Sequence, residues 1–322
     1  MAGLTEIIKE AGIVGCGGAG FPTHAKYSGG PVETIIVNGA ECEPLLQTDR
    51  YLMRNCARKL IRTADRIKEE TGAKEFIIAL KAAYTREIES LERAIEELGS
   101  SVKLHKLQSF FPAGDEQTIV YEVTGRVVPP AAIPLSVGCV VSNVATIYGI
   151  GDAFEGEPFT RKFLTVTGEV AHPTILRVPV GTPVSECIAL AGGTHLSRFI
   201  VVNGGPMMGR AMVNLDSPVT KGCSGITVMS GRDAQRREAT QCIKCAKCVS
   251  ACPMGLEPYY LSKMTQKKGW DELEALMITS CIECGCCQST CPAYLPLLDW
   301  VRLGKQTVMG LIRARAAAAP KK

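Results

Sequence analysis

Two cysteine runs near the C-terminus decide the architecture of this chain: Cys242-x2-Cys245-x2-Cys248-x3-Cys252-Pro253 and Cys281-x2-Cys284-x2-Cys287-x3-Cys291-Pro292. Each run has the spacing that wraps a cubane iron–sulfur cluster, and where two runs occur together the fourth cysteine ligates the other cluster. We therefore predict two [4Fe–4S] clusters. The predicted ligands of the first are Cys242, Cys245, Cys248 and Cys291, and those of the second are Cys281, Cys284, Cys287 and Cys252.

Two other uses of these cysteines fit the pattern less well. A zinc site takes four ligands in two pairs and has no closing Cys-Pro. A disulfide framework requires an oxidising compartment and is typical of much shorter chains. Cys286 is an additional thiol inside the second run, and because Cys287 has the ligand spacing we interpret Cys286 as a packed neighbour.

Composition restricts the remaining possibilities. The chain has 322 residues, enough for two or three domains, and 46% hydrophobic residues. No apolar run has the length of a transmembrane helix or a signal peptide, and 15 cysteines without an export signal indicate a reducing cytoplasm. The formal charge is +4, but each oxidised cluster with its thiolates adds roughly −2. No basic and aromatic pattern supports nucleic-acid binding.

The N-terminal half alternates between strands and amphipathic helices. Strands are predicted at 34–38, 76–80 and 138–143, with a further one near 102–104, and long helices at 53–67 and 88–98. This rhythm predicts an α/β domain with a largely parallel sheet.

A glycine-rich stretch precedes the first strand. Gly15, Gly17 and Gly20 satisfy G-x-G-x-x-G, but a helix precedes the stretch and Phe-Pro follows it, so a standard Rossmann site is not expected. Glycines without Cβ atoms still allow backbone N–H groups to approach a phosphate or a flat ring, with Lys26 as a positive partner. Glu41 and Glu43 follow the first strand, where α/β folds place ligands. Asp115 and Glu116 fit the first turn of a helix, which also explains them without a ligand.

The chain changes character after about residue 159. Short strands surround a short helix, and a glycine-rich turn, Asn203-Gly-Gly-Pro-Met-Met-Gly209, follows one strand; we favour packing over ligand binding for this turn. A polar linker at 231–240 leads to the cysteine runs, which are separated by helical spacing.

Several motifs in register give the chain a specific resemblance. The Gly15-x-Gly-Gly-Ala-Gly-Phe-Pro-Thr stretch, Asn38-Gly-Ala-Glu-Cys-Glu-Pro, Pro112-Ala-Gly-Asp-Glu, Gly204-Gly-Pro-Met-Met-Gly209 and the paired cysteine runs resemble the Rnf-complex C subunit and the cobalamin reductase of propanediol microcompartments. This family is related to the NADH-binding FMN subunit of complex I. Ala40 and Asp115 depart from the complex I pattern. Family members commonly continue further, so the chain resembles a short form.

The resemblance implies a set of cofactor contacts. FMN would be bound by ten residues: Gly15, Gly17, Gly18, Gly20, Lys26, Asn38, Glu41, Gly114, Asp115 and Asn143. The nicotinamide dinucleotide would be bound by Phe21, Glu43 and Glu116. Carboxylates accept hydrogen bonds from ribose hydroxyls and repel an added phosphate, so NADH is favoured over NADPH. We give Cys16 and Cys42, in the two ligand loops, no redox role.

These inferences define the expected organisation. An α/β FMN- and NADH-binding domain is expected at 1–158, a small β-grasp domain at 159–230, a helical two-cluster ferredoxin-like domain at 231–300 and a basic C-terminal tail at 301–322. The implied activity is a cytoplasmic NADH:acceptor oxidoreductase, as part of a larger redox complex.

Electrons would pass from NADH through FMN and two [4Fe–4S] clusters to a partner that contains a ferredoxin, flavin or corrinoid. No nucleic acid partner and no membrane span are expected, although the chain can associate peripherally with a membrane complex. Two alternatives stay open: an iron–sulfur wiring subunit without flavin or NADH, which Ala40 and Asp115 allow, and a cobalamin reductase.

Overall fold

The computed structural model describes residues 3–18, 20–129, 132–231 and 238–318. The chain divides into two compact units, residues 1–234 and 235–322. Residues 232–237 of the predicted linker lie outside the described part. No helix within the described ranges combines the length and the apolarity needed to cross a membrane.

Strands and helices alternate through the first unit, as predicted. The strands are β1 (Thr34–Asn38), β2 (Glu75–Lys81), β3 (Lys103–Leu107), β4 (Cys139–Asn143), β5 (Arg161–Gly168), β6 (Thr174–Pro179), β7 (Phe199–Asn203), β8 (Arg210–Met212) and β9 (Gly225–Ser230). The helices are α1 (Leu4–Glu10), α2 (Thr23–Tyr27), α3 (Thr48–Asn55), α4 (Ala57–Thr71), α5 (Thr85–Leu98), α6 (Glu116–Thr124), α7 (Val144–Phe154) and α8 (Val184–Leu190). A 3₁₀ turn spans Pro134–Val137.

The first sheet is parallel and has the strand order β3-β2-β1-β4. Its central strand is apolar on both faces: Ile35 and Val37 pack with the layer of α1, α3, α4, α5 and α7, whereas Ile36 packs with α6. Continuous burial is typical of parallel strands covered by helices on both sides. The predicted α/β architecture is confirmed.

One predicted helix is divided in two. The apolar periodicity from Met53 to Ile67 predicts a single helix, but Cys56 leaves the helical region (φ −124°, ψ 20°) and separates α3 from α4. Both helices bury the same side in one core, so the break leaves the hydrophobic pattern unchanged and periodicity alone does not reveal it.

The second sheet is mixed, with the order β6-β5-β9-β7-β8. Strands β5 and β9 are parallel and the other neighbours are antiparallel. Helix α8 covers one face, where Val184, Cys187 and Ile188 pack on the inward residues of the strands. One helix across a small mixed sheet is the β-grasp arrangement that the sequence predicts.

The second unit is helical, as predicted. Its elements are α9 (Lys247–Ser250), α10 (Pro258–Gln266), α11 (Trp270–Ala275), α12 (Cys286–Ser289) and α13 (Leu297–Ala318), with a 3₁₀ turn at Ile278–Ser280. Val301 and Val308 of α13 pack against Leu261 of α10. Gly304 permits this packing, because a Cβ there would overlap the Thr265 hydroxyl. The segment predicted as a tail is thus helical as far as Ala318, and 319–322 lie outside the described residues.

Candidate functional site

Two predicted flavin ligands meet at the carboxyl edge of the parallel sheet. Asn38 ends β1, Asn143 ends β4, and the two are register partners. The Asn38 side chain donates to the Gly114 carbonyl oxygen (2.7 Å) and accepts from the Ala40 N–H (3.0 Å). Ligands of open α/β sheets bind beyond the carboxyl ends of the strands, so the two asparagines mark the candidate site.

Asn143 also connects the strand to the helix that follows. Its side-chain oxygen accepts from the Ala145 N–H (2.9 Å) and caps α7, and its amide donates to Asp49 Oδ2 (2.6 Å). Asp49 is buried, and burial raises its pKa to about 6. Asp49 was not predicted from the sequence; its signal is a carboxylate on the apolar face of α3, three and four residues before Leu52 and Met53.

The glycine loop lies beside the start of α7. The Cys16 N–H donates to the Thr146 hydroxyl (3.0 Å), and a Cβ on Gly17 would stand 3.6 Å from the Asn143 Cβ. Gly18 and Gly20 have φ of +105° and +63°, and the space where their Cβ atoms would project is open. Backbone without side chains beside a helix N-terminus fits the phosphate of a flavin nucleotide.

The loop before α6 packs against the loop after β1 through Gly114. A Cβ on Gly114 would overlap the Ala40 carbonyl oxygen, and the Gly114 N–H donates to Cys42 Sγ (3.0 Å). Asp115 caps α6 by accepting from the N–H groups of Gln117 and Thr118. Burial raises the pKa of the Cys42 thiol, so Cys42 is a packed thiol, not a reactive thiolate.

A predicted FMN ligand and a predicted NADH ligand are joined directly. Lys26 Nζ donates to Glu116 Oε1 (2.7 Å) and to the Val141 carbonyl oxygen (2.9 Å). The Glu116 side chain is half-exposed, and Phe21 is 46% exposed in the neighbouring loop. The ammonium group therefore lies over β4 close to the site edge, and an aromatic ring is available to a ligand.

Glu41 is held with its carboxyl group inside the protein. Lys81 Nζ (2.9 Å) and the Tyr84 hydroxyl (3.0 Å) donate to its backbone carbonyl oxygen, and its carboxylate accepts from the Glu43 N–H (3.0 Å). Burial raises the pKa of Glu41 to about 8, and the negative charges of Asp49 and Glu43 add to the effect. A carboxyl group that keeps its proton at neutral pH donates a hydrogen bond as well as accepting one. Lys81, at the end of β2, is recognisable in the sequence only from its position at the same sheet edge.

Glu43 joins the two sheets of the first unit. Its carboxylate accepts from the N–H groups of Met207 (3.0 Å) and Met208, in the glycine-rich turn between β7 and β8. A Cβ on Gly205 would overlap the same carboxylate, so glycine is required there. The sequence predicts Glu43 as a dinucleotide contact, and the structure places its carboxylate against this turn.

The second unit brings the cysteines of both runs together. Cys252, Cys281, Cys284 and Cys287 line one small cavity with Cys286, and Leu261 and Val301 form part of its apolar wall. Burial, with repulsion from Cys281, Cys284 and Cys252, raises the pKa of the Cys287 thiol to about 12. Cys291 lies close enough to Cys248 to raise the pKa of that thiol. These neighbours are the ones that the crossed ligand sets require.

The backbone of the two runs repeats itself. Lys244 and Glu283 both have a left-handed φ, of 56° and 57°, and so do the residues two positions later, Ala246 and Gly285. The N–H groups of Lys244 and Glu283 each point at the sulfur of the run's first cysteine, at 3.4 Å. Left-handed turns of this kind direct N–H groups into a concavity that suits an anionic cluster. The donor set and the loop geometry thus fit [4Fe–4S] clusters.

The fold and these two centres define a class of protein: a redox protein that combines a flavin-type α/β domain with a two-cluster iron–sulfur domain. Residues 8–152 match the Nuo51 FMN-binding domain, residues 163–211 the SLBB domain and residues 234–292 the 4Fe-4S dicluster domain. The chain therefore carries these domains in that order.

The chain belongs, more particularly, to the family of cobalamin reductases and of the C-type subunits of ion-translocating oxidoreductases, which confirms the resemblance seen in the sequence. It is 43% identical over 272 residues to cobalamin reductase PduS of Citrobacter freundii, covering 80% of this chain and 59% of the relative. It is 35% identical over 277 residues to the C-type component of the Na⁺-translocating ferredoxin:NAD⁺ oxidoreductase complex of Acetobacterium woodii, covering 84% and 62%. The chain spans about three fifths of the length of these relatives.

The fold is also found in solved structures. An NAD⁺-reducing [NiFe]-hydrogenase in its H2-reduced state matches with a TM-score of 0.66 and 18% identity, covering 99% of this chain and 66% of the hydrogenase chain. The air-oxidised state matches with a TM-score of 0.63 and 21% identity, covering 84% and 54%. At this identity the likeness concerns the fold alone.

Proposed function

We propose that the chain is an electron-transfer subunit that oxidises NADH through FMN and passes single electrons through two [4Fe–4S] clusters to a partner redox protein. The observation that carries the proposal is the presence of an FMN-binding domain and a dicluster domain in one chain. FMN, when bound, connects a two-electron donor with one-electron acceptors.

The residues of the first unit would bind and orient the flavin. The exposed backbone at Gly17 and Gly18 and the Lys26 ammonium would hold its phosphate, while Asn38 and Asn143 mark the edge along which it lies. The buried Glu41 carboxyl, whose pKa is raised to about 8, would hold a proton at neutral pH and so can donate to a flavin acceptor atom.

The dinucleotide contacts are part of the same proposal. Phe21 is exposed and suits stacking on a flat ring. Glu116, paired with Lys26, suits a ribose hydroxyl. Glu43 already accepts from backbone N–H groups of the 204–209 turn, so its proposed role toward NADH is indirect: it positions that turn beside the site.

Single electrons would leave through the second unit. The clusters would be held by the two crossed sets of cysteines, supported by the shared cavity and the N–H···S contacts. Both clusters then have four protein ligands and no open iron, which suits electron transfer and not substrate chemistry. The acceptor would be a partner protein, and a cytoplasmic location, with or without peripheral attachment to a membrane complex, belongs to the same proposal.

A cobalamin reductase is the second candidate, because a relative of that name is 43% identical. It differs from the first candidate only in the acceptor. Anaerobic assays with NADH and either free cobalamin, a corrinoid protein or a ferredoxin would identify the acceptor. Cobalamin reduction supports the second candidate, and failure with both corrinoids excludes it.

Cofactor content tests the main proposal. Purified under anaerobic conditions, the protein should hold acid-extractable FMN in a 1:1 ratio and about eight iron atoms. About eight iron atoms without flavin would contradict the proposal and leave an iron–sulfur wiring subunit as the function.

A further inference from the structure

A basic groove crosses the helical layer of the first unit. It is an open groove of about 800 Å³ between α4, α5 and α7, and it shares no residue with the candidate flavin site. Six cationic residues line it: Arg54, Arg58, Lys59, Arg62, Arg66 and Arg93. Its acidic lining residues are Glu97 and Glu155. The excess of four positive charges equals the formal net charge of the whole chain, +4.

The arginines recur at every fourth position. Arg54, Arg58, Arg62 and Arg66 therefore project along one stripe of α3 and α4, where like charges four residues apart destabilise a helix. The first turn of α4 contains Arg58 and no acidic residue, which also opposes the helix dipole. Stability alone does not favour this arrangement, whereas a bound anion would offset the repulsion.

Two of the guanidinium groups are available to a ligand. Arg58 pairs with Glu97, Arg66 with Glu70, and Lys59 with Asp152 and Glu155. Across the described ranges, no carboxylate lies within ion-pair distance of Arg62 or Arg93. Both side chains are exposed and face the groove from neighbouring helices.

We propose that this groove binds a small ligand with two or more linked phosphate groups. Guanidinium groups bind phosphate oxygens in pairs with a fixed planar geometry, and several of them within one groove favour a ligand with several negative charges. The volume is in the range of sites for nucleotide-sized molecules. No basic pattern is visible in the sequence, because the arginines of α4 and Arg93 of α5 become neighbours only in the folded protein.

The test uses inorganic pyrophosphate as the probe. Binding is measured by calorimetry at low salt on the full chain loaded with FMN and its clusters, with NAD⁺ present to occupy the phosphate positions proposed at the other site. The variant is R62Q/R93Q. The control variant, K9Q/R86Q, removes the same charge from exposed positions, one of them on α5, outside the groove.

The wild type and the control should bind one pyrophosphate per chain, and R62Q/R93Q should bind it about tenfold more weakly or worse, since charge-assisted hydrogen bonds are lost. No binding by the wild type would overturn the proposal, and so would an equal loss in both variants, which would indicate a general charge effect. A third arm uses phosphatidylglycerol vesicles. Binding to vesicles without binding to pyrophosphate would also overturn it, because the groove would then be a membrane contact.

Discussion

Lys26 has two hydrogen bonds that keep its ammonium group near the carboxyl edge of the sheet, one to the Val141 carbonyl oxygen and one to Glu116. If it also holds the flavin phosphate, its loss removes a charge-assisted interaction of about 1.5–3 kcal/mol. Lys26→Ala should therefore weaken FMN retention by roughly tenfold to a hundredfold and leave the iron content unchanged.

The measurement is flavin fluorescence released by acid, together with an iron assay. Lys103→Ala is the matched control, because this lysine lies on the edge strand β3 and pairs with Glu75 of β2 at the surface. Unchanged flavin in Lys26→Ala would remove Lys26 from the site.

Glu41 gives the first unit a pH-dependent stability. Its pKa rises from 4.5 to about 8 on folding, so the folded state holds a proton that the unfolded state has lost between these values. The free energy of unfolding should therefore fall as the pH rises from about 4.5 to about 8. Glu41→Gln cannot titrate and should reduce this slope.

Urea denaturation of the flavin-free protein at pH 5 and pH 8 measures both slopes. Asp49, with its pKa raised from 3.8 to about 6, contributes a similar fall at lower pH in both proteins. Identical slopes in the wild type and Glu41→Gln would show that Glu41 is not a buried proton holder.

At the scale of elements, the loop after β1 and the turn between β7 and β8 are coupled through one carboxylate. Gly205→Ala would place a Cβ on Glu43 and break the contacts to the Met207 and Met208 N–H groups. We expect a loss of about 1–3 kcal/mol in unfolding free energy. Gly231→Ala is the control, since its Cβ would make an ordinary contact of 3.5 Å with Arg198.

A double-mutant cycle with Glu43→Ala isolates the coupling. Gly205→Ala should cost much less in the Glu43→Ala background, because the obstructing carboxylate is absent. Additive effects of the two substitutions would mean that the loops do not communicate through Glu43.

Most elements were predictable because their apolar periods are unambiguous. The buried run Thr34–Asn38 is typical of a parallel strand, and the glycines at 72 and 99 stop α4 and α5 in a left-handed conformation. The break at Cys56 and the turn–carboxylate contact of Glu43 were not predictable. The first leaves the hydrophobic pattern intact, and the second joins residues 164 positions apart.

At the scale of the second unit, each cluster is predicted to draw its ligands from both cysteine runs. Cys291→Ala should therefore abolish the first cluster, to which Cys242, Cys245 and Cys248 also belong, and leave the second intact. Iron should fall from about eight to about four atoms per chain. Cys286→Ala is the control: it removes a thiol from the same run that is not a predicted ligand.

Electron paramagnetic resonance of the reduced variants distinguishes the clusters, since interacting clusters give a different spectrum from an isolated one. Loss of the second cluster alone in Cys291→Ala would contradict the crossed ligand sets. The spacing made this assignment possible from the sequence. The N–H···S contacts and the cavity shared by Cys252 and Cys287 required the folded chain.

For the whole molecule, the domain order is readable from motifs, whereas charge distribution is not. The formal charge of +4 suggested a nearly neutral surface, but the fold gathers arginines from α3, α4 and α5 in one groove. Asp49 is a similar case, because its role depends on Asn143, 94 positions away.

The central claim is that one chain contains the path from NADH to the clusters, and an anaerobic NADH titration tests it most directly. The protein, reconstituted with iron, sulfide and FMN, is mixed with NADH while the visible spectrum is recorded. We predict bleaching of both the flavin band and the broad iron–sulfur absorption. Flavin that is retained but not bleached by NADH, and is bleached by a strong chemical reductant, would contradict the claim.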